Sequence, residues 1–282
     1  MVATGQLPIP QITARRFGAR CLPALTDDAL YERTGVRVAF TGRAGGVSEG
    51  PYSSLNLGNH VGDDPASVER NRALVLEALD AADVPLVVPS QVHGEVVVEL
   101  DDASPEALDA AREAALAGAD ALVATVPGIA ALLCFADCVP VIVVSPTGRF
   151  AVAHAGWRGV ENGVAAKAVR ALARADAAEL GEDAASGYNV YVGPHIHASC
   201  FETGADVRKR FEDRFGSSCI PDERHVDLLE ALTVGLEEAG IDRARVADAG
   251  VCTVCSCDEF FSYRAAGGIC GRHGAVAFRK AG

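Results

Sequence analysis

Two histidines and one cysteine of the sequence have the right chemistry to hold a metal ion together. They are His93 in the segment SQVHG, Cys138 in FADC and His154 in AHAGWRG. Imidazole nitrogen and thiolate sulfur are good ligands for a borderline-soft cation such as Zn²⁺. Three protein ligands leave one coordination position for water, which zinc activates as a nucleophile at neutral pH. These residue types therefore predict a catalytic zinc site at His93, Cys138 and His154.

The wide spacing of these three residues along the chain also allows interpretations without catalytic zinc. In one, Cys138 packs inside a sheet and both histidines are ordinary surface groups. In another, Cys138 is the nucleophile and His154 the base of a metal-free hydrolase. A fourth protein ligand, Cys134 or Cys200, would instead make the zinc structural and the protein a binding module.

Copper is a second metal that two imidazoles and a thiolate can bind, as in blue-copper sites. The weak axial methionine of such sites has no candidate, because the single methionine of the chain is Met1. The seven histidines are also too few to add an imidazole-rich multinuclear copper cluster. The composition therefore disfavours a copper-dependent polyphenol oxidase (laccase).

Two segments are candidates for binding phosphate. Arg43 lies in a glycine-rich loop, residues 42–46, and Ser48 follows closely. Arginine with accessible backbone N–H groups can hold phosphate, although an exposed turn explains the loop equally well. Arg158 stands where a predicted strand gives way to a helix, and free N–H groups at such a junction attract anions.

Two further polar residues are candidates for the same site. Asp137 precedes Cys138 and could orient a metal-bound histidine or act as a general base. His60, in the segment LNLGNHVGDD, could transfer a proton at the substrate or only cap its loop. We include both in the predicted site, Asp137 as catalytic and His60 as substrate-binding.

A cluster of cysteines near the C-terminus is open to more than one interpretation. Cys252, Cys255 and Cys257 could form a structural zinc site if Cys270 supplied a fourth ligand, but no second well-spaced cysteine pair accompanies them. They are interpreted as reduced thiols. His195 and His197 follow a Gly-Pro pair, and they could alter substrate choice if they face the site.

Composition limits the possible partners and the location of the chain. The formal net charge of -13 opposes binding to nucleic acid or to anionic lipid. No apolar run reaches the length of a membrane span, and the N-terminus shows no basic-then-apolar signal. The nine cysteines, an odd number, suit a reducing compartment. We expect a cytoplasmic protein, monomeric or homodimeric, that acts on small molecules.

The elements that must position these residues follow from short apolar runs and from Asp-Pro and Ser-Pro helix starts. Strands are expected at residues 36–40, 86–88, 95–100, 129–135, 139–144, 149–154, 188–193, 259–263 and 274–279. Helices are expected at 65–80, 104–117, 159–177, 204–215 and 225–239. Strands interspersed with helices predict one α/β domain with a mixed-sheet core and flanking helices. The candidate motifs stand at predicted strand ends, where such folds place their sites.

Six motifs in register resemble those of one protein family. They are TGRAGGVSEGPYSSLNLGNHVGDD, PSQVHG, ADALVATVPGIAALLCFADCVPVIV, AHAGWRG, GPHIHASCFETG and CTVC followed by FFSYR. Their order and content resemble the YfiH-like proteins, long labelled laccase-domain or multicopper polyphenol oxidase proteins and since assigned as purine nucleoside phosphorylases. The resemblance runs from about residue 36 to the C-terminus.

The resemblance implies a fold, a metal site and an activity. It implies a layered α-β-β-α sandwich over residues 36–282, with residues 1–35 as an N-terminal extension packed on that domain. It also implies that His93, Cys138 and His154 bind one zinc ion. The implied enzyme is a pentosyltransferase that cleaves adenosine, inosine or methylthioadenosine with phosphate to free base and ribose 1-phosphate. Adenosine deamination is implied as a second activity.

Overall fold

A computed structural model describes residues 5–281 of the chain. Outside this range lie residues 1–4 and residue 282. The first four begin the predicted N-terminal segment 1–35, and the last ends the predicted domain 36–282. Within the described range, twelve strands form two six-stranded mixed sheets that pack face to face, with helices on the outer surfaces. The predicted single mixed α/β domain with flanking helices is confirmed.

The first sheet has the strand order β1-β2-β3-β12-β7-β4. Its strands are β1 (Thr13–Phe17), β2 (Leu22–Thr26), β3 (Val36–Thr41), β4 (Leu86–Val87), β7 (Ile129–Phe135) and β12 (His273–Arg279). All neighbouring strands are antiparallel except β4 and β7, which run parallel. Residues of the predicted segment 1–35 thus supply β1 and β2, and the division at residue 35 stays a prediction.

The second sheet has the strand order β11-β10-β8-β9-β6-β5. Its strands are β5 (Val97–Leu100), β6 (Ala121–Ala124), β8 (Val139–Val144), β9 (Phe150–Ala155), β10 (Asn189–Val192) and β11 (Val246–Asp248). The two edge pairs are parallel and the central pairs antiparallel. Every residue of β6, β8, β9 and β10 is buried, because this sheet is covered on both faces.

Seven α-helices flank the sheets in the described part of the chain. They are α1 (Asp28–Thr34), α2 (Pro65–Ala78), α3 (Pro105–Leu116), α4 (Trp157–Asn162), α5 (Val164–Leu180), α6 (Ala205–Phe215) and α7 (Leu228–Glu237). The predicted start of α2 is confirmed, since the Asp64 side chain accepts hydrogen bonds from two backbone N–H groups of its first turn. None of the described helices is long and apolar enough to cross a membrane.

Three apolar clusters fill the spaces between these layers. The middle cluster lies between the sheets and includes Phe40 and Leu133 from the first and Ile142 and Tyr191 from the second. A second cluster joins the outer face of the second sheet to α5, α6 and α7. A third joins the outer face of the first sheet to α2. The molecule is therefore a four-layer sandwich of helix, sheet, sheet and helix.

Two predicted elements differ from the structure. The helix expected at 159–177 is divided into α4 and α5, because Gly163 adopts a left-handed conformation with φ of 73° and ends α4. The strand expected at 259–263 is absent, since backbone hydrogen bonds fold residues 252–268 into turns. The apolar side chains of Phe260 and Phe261 that suggested a strand are buried from those turns.

Candidate metal centre

The candidate metal centre lies where the chain passes from one sheet to the other. The link between β4 and β5 carries His93, and the short turn between β7 and β8 carries Asp137 and Cys138. His154 stands near the end of β9, paired with Pro140 of the adjacent strand. Both links begin in the first sheet and end in the second, so residues distant in sequence meet at one end of the sandwich.

The three predicted metal ligands come together in the structure. One ligand atom from each of His93, Cys138 and His154 lies within 4.8 Å of the others, and the His93 Nε2 to Cys138 Sγ distance is 3.7 Å. Ligands placed tetrahedrally around zinc are separated by roughly 3.3 to 3.8 Å, given zinc–ligand bonds of about 2.0 to 2.3 Å. The donor set and its spacing therefore fit a metal ion, and the group can bind one.

Asp120 organises the two histidines, and the sequence analysis did not single it out. Its fully buried carboxylate accepts a hydrogen bond from His154 Nδ1 at 2.7 Å, which leaves Nε2 of that ring for a metal. It also accepts backbone N–H groups of Val92, His93 and Gly94 at 2.7 to 3.2 Å. These bonds hold His93 in its left-handed conformation with φ of 58°. The only hint of Asp120 in the sequence was a charged residue, following Ala119, directly before the apolar strand β6.

The electrostatics of the group favour a negatively charged sulfur. Burial raises the pKa of the Cys138 thiol, but the charge and hydrogen bonds of His154 and His93 outweigh burial and bring it to about 6. Burial lowers the pKa of His154, yet its interactions with Cys138 and Asp120 raise it to about 9. Thiolate is the form of cysteine that binds metals, and a metal ion would displace the proton that this pairing keeps on His154.

Gly156 makes room for the ligands at the end of β9. A β-carbon at this position would lie 2.9 Å from His93 Cδ2 and 3.0 Å from Cys138 Sγ. Steric constraint therefore explains why the motif AHAGWRG has glycine at this position, since any side chain would push two of the three ligands apart.

A cavity of about 410 Å³ opens directly over the three ligands. Trp157, Phe201 and Tyr263 give it aromatic walls, and Arg264 and Arg272 give it positive charge. Its size and its mixture of apolar walls with a few polar groups suit a small organic ligand. The two arginines were not predicted as site residues, although Arg264 ends the motif FFSYR.

The structure places the predicted phosphate-binding residues outside this cavity. Arg43 donates to the backbone carbonyls of Ser53 and Cys257 and lies over the Phe261 ring. Ser48 is buried and donates to Asp63 at 2.6 Å. Arg158 stacks on the Trp157 ring at the start of a helix of only six residues. None of the three lines the cavity over the metal-ligand group, and their assignment as phosphate ligands stays a prediction.

Asp137 and His60 both line the cavity, but their contacts differ from the expectation. The Asp137 carboxylate accepts hydrogen bonds from Thr253 Oγ1 and from the backbone N–H of Arg264, both at 2.6 Å. The carboxylate that orients a ligand histidine is therefore that of Asp120. Burial, and then the charge of Arg272, lowers the pKa of His60, so its ring is neutral at pH 7.

Two cysteines proposed as a fourth ligand do not join the group. Cys134 borders the cavity but donates its thiol hydrogen to the Leu57 carbonyl at 3.3 Å. Cys200 belongs to another cluster of sulfur atoms. Among the residues described by the structure, the group at the cavity thus has three ligands, the number typical of catalytic metal sites.

Comparisons with known proteins agree with this fold. A family described as multi-copper polyphenol oxidoreductase laccase matches residues 37–280. A purine nucleoside phosphorylase of Pseudomonas aeruginosa is 35% identical over 237 residues, which cover 81% of this chain and 88% of that protein. An adenosine deaminase of an unknown prokaryotic organism is 34% identical over 255 residues, covering 87% of this chain and 95% of that protein. The crystal structure of the Bacillus licheniformis YfiH protein superimposes with a TM-score of 0.80 at 27% identity, covering 94% of this chain and 99% of that one.

The fold and the site define a single-domain mixed α/β protein with a His₂Cys metal-ligand group at the base of a cavity. The chain belongs to the family of laccase-domain proteins that includes YfiH. The resemblance noted from the six motifs is therefore confirmed.

Proposed function

We propose that the protein is a zinc-dependent purine nucleoside phosphorylase that acts on adenosine and inosine, and on methylthioadenosine as a further substrate. One observation carries the proposal: a single cavity is lined both by the three metal ligands and by Arg264 and Arg272. Relatives named purine nucleoside phosphorylase that align with more than 80% of the chain support the same reaction. The proposal includes a cytoplasmic location, where thiols stay reduced.

Arg264 and Arg272 are the proposed phosphate ligands in place of Arg43 and Arg158. Arg264 donates to the carbonyls of Cys200 and Glu202, and Arg272 to the carbonyl of Cys270. Each guanidinium has five N–H groups, so both retain donors for an anion while these carbonyls fix their position. The neutral His60 ring lines the same cavity and can exchange a hydrogen bond with phosphate or a ribose hydroxyl.

The nucleoside base is proposed to lie against the aromatic walls of the cavity. Trp157, Phe201 and Tyr263 line the cavity, and aromatic rings pack favourably against a purine. Asp137 acts as a positioning residue, because its carboxylate ties the backbone of Arg264 to the loop of Thr253.

The proposed reaction exchanges one bond at the ribose C1′ for another. A phosphate oxygen forms a bond to C1′ while the bond from C1′ to the base nitrogen breaks, and the electron pair leaves with the base, which takes up a proton. Positive charge develops on the ribose during this exchange, so correct positioning and stabilisation of the leaving base lower the barrier. A metal held by His93, Cys138 and His154 would supply Lewis acidity at the base of the cavity.

Adenosine deamination is a second proposed activity, because a relative named adenosine deaminase aligns with 87% of the chain. The reaction replaces the amino group at C6 of adenine with an oxygen from water and releases ammonia. The three-ligand group is the kind of site that supports such hydrolytic chemistry.

Product analysis of the zinc-loaded protein with adenosine, with and without phosphate, tests both activities. Adenine and ribose 1-phosphate that form only when phosphate is present would support phosphorolysis. Inosine in either condition would support deamination. If adenosine, inosine and methylthioadenosine all remain unchanged, the purine assignment is wrong.

A further inference from the structure

A second cluster of ligand atoms lies away from the three-ligand group. The sulfur atoms of Cys200, Cys252 and Cys255 all lie within 4.8 Å of one another, and the Cys200 to Cys255 distance is 3.7 Å. Cys200 stands in the loop that follows β10, and the other two stand in the loop that follows β11. A β-bridge between His195 and Cys252 holds the two loops together. Neither Cys257 nor Cys270, which the sequence suggested as partners, belongs to the cluster.

The distances between the sulfur atoms fit shared coordination better than a disulfide bond. A disulfide places its sulfur atoms about 2.05 Å apart, whereas thiolates on one zinc ion lie roughly 3.8 Å apart. The backbone N–H of His197 donates to Cys252 Sγ at 3.4 Å.

His197, on the same loop as Cys200 but outside the cluster of three sulfur atoms, offers a fourth potential ligand. Its Nε2 atom is buried and has no hydrogen-bond partner among the described residues. A buried imidazole nitrogen without a partner is costly, and a metal ion would satisfy it. His197 and Cys200 have the spacing His-x-x-Cys, and Cys252 and Cys255 have the spacing Cys-x-x-Cys. Cys-x-x-Cys is a spacing typical of structural zinc sites, and Cys₃His is one of their common ligand sets.

We infer that Cys200, Cys252 and Cys255 bind a second, structural zinc ion, with His197 as its fourth ligand. The ion would join the two loops that form one wall of the cavity. Arg264 and Phe201 belong to that wall, and the Arg264 guanidinium donates to the Cys200 carbonyl. Thr253, between the two cysteines of the second loop, donates to Asp137 beside Cys138. The second ion would therefore stabilise the substrate-binding wall without contacting the substrate.

The zinc content of variants purified reduced and without oxygen tests this inference. We expect two zinc ions per chain in the wild type, one in Cys138→Ala and one in Cys255→Ser. Cys257→Ser is the matched control, because Cys257 is also exposed and lies two residues further along but outside the cluster; it should keep two. A Cys138→Ala protein that holds no zinc, or a Cys255→Ser protein that keeps the wild-type content, would overturn the inference.

Cobalt substitution in the Cys138→Ala protein gives a second readout that does not depend on how well Cys255→Ser folds. The thiolate-to-cobalt charge-transfer band grows with the number of sulfur ligands. With Cys138 removed, a band as intense as three thiolates give can come only from the second cluster. His197→Ala should keep that band but release cobalt more readily to a chelator. Absence of the band, or a cystine linking two of the three residues in the anaerobic protein, would contradict the proposed site.

Discussion

Asp120 links the two histidines of the metal-ligand group through one buried carboxylate. The same carboxylate orients the His154 ring and accepts three backbone N–H groups of the loop that carries His93. Burial raises the pKa of this carboxyl, but the hydrogen bonds from His154 and Gly94 outweigh burial and keep it below the ordinary value. It therefore stays ionised, and an uncharged amide cannot replace all four of its hydrogen bonds.

We expect Asp120→Asn to weaken zinc binding at the three-ligand group by about 10- to 100-fold, the usual cost of losing a partner of a metal-bound histidine. The amide retains one acceptor oxygen, but its NH₂ group meets backbone N–H donors. Competition with a zinc-binding dye gives the affinity. It is measured in the Cys255→Ser background, which removes the second zinc site and leaves only the three-ligand group. Unchanged affinity in Asp120→Asn would show that the carboxylate does not position the ligands.

Gly156 permits a sharper test of the same geometry. Gly156→Ala introduces a methyl group within about 3 Å of two ligand side chains, so we expect loss of zinc at the three-ligand group and loss of activity. Gly235→Ala in α7 is the control, because its new methyl meets only an ordinary contact at 3.8 Å. Zinc content and catalytic rate are measured on both; normal zinc binding by Gly156→Ala would contradict the geometry.

Among the elements, β12 places a histidine in an apolar environment at the centre of the first sheet. His273 pairs with Phe135 on β7 and packs against the rings of Phe135 and Phe260. Both ring nitrogens are buried, and neither has a hydrogen-bond partner among residues 5–281. Burial lowers the pKa of His273 to about 3, so the folded protein holds this ring neutral where the unfolded chain would protonate it.

This burial predicts a loss of stability in mild acid. The unfolded chain binds the extra proton below about pH 6.5, so the contribution of His273 is complete above that pH and falls as the pH drops towards 3. Between pH 6.5 and 5 the loss is about 2 kcal/mol. Urea unfolding of metal-free protein should show this loss in the wild type and lack it in His273→Leu. Equal pH dependence of the two proteins would contradict the prediction.

The elements also show where sequence patterns suffice and where they fail. The fully apolar runs at β7 and β8 and the Asp64-Pro65 helix start were predictable, because burial on both faces and capping leave local signals. β1 and β2 were not predicted, since the exposed middle of β1, Ala14–Arg16, shows no apolar run. β6, which follows the expected helix at 104–117, was not predicted either, and it pairs with β9. Pairing between strands decided those cases, with β2 and β3 for the first strands of the chain and with β5 and β9 for β6.

In the molecule as a whole, the site forms where two links cross from the first sheet to the second. The motif residues His93, Cys138 and His154 were predictable because their types suit a metal and their segments end strands. The sequence pattern alone does not locate a phosphate site, since a glycine-rich loop with an arginine looks alike whether the arginine binds an anion or, as Arg43 does, neighbouring carbonyls. Only the three-dimensional fold brings Arg264 and Arg272 to the cavity.

The proposed phosphate site gives a kinetic prediction at this scale. Arg272→Ala should raise the KM for phosphate by about 10- to 100-fold, because a hydrogen bond to a charged group contributes about 1.5 to 3 kcal/mol. Arg70→Ala is the control, since Arg70 pairs with Glu77 on the exposed face of α2. If Arg43→Ala raises the KM for phosphate and Arg272→Ala leaves it unchanged, phosphate binds at the glycine-rich loop and the proposed site is wrong.

The most direct test of the central claim is the rate of phosphate-dependent adenine release as zinc is returned to metal-free protein. We expect the rate to rise in proportion to the zinc bound at His93, Cys138 and His154 in the wild type and to stay at background in Cys138→Ala at every zinc concentration. Circular dichroism should show that both proteins are folded. Full phosphorolysis by the metal-free wild type, or by Cys138→Ala, would contradict the assignment of His93, Cys138 and His154 as the catalytic metal site.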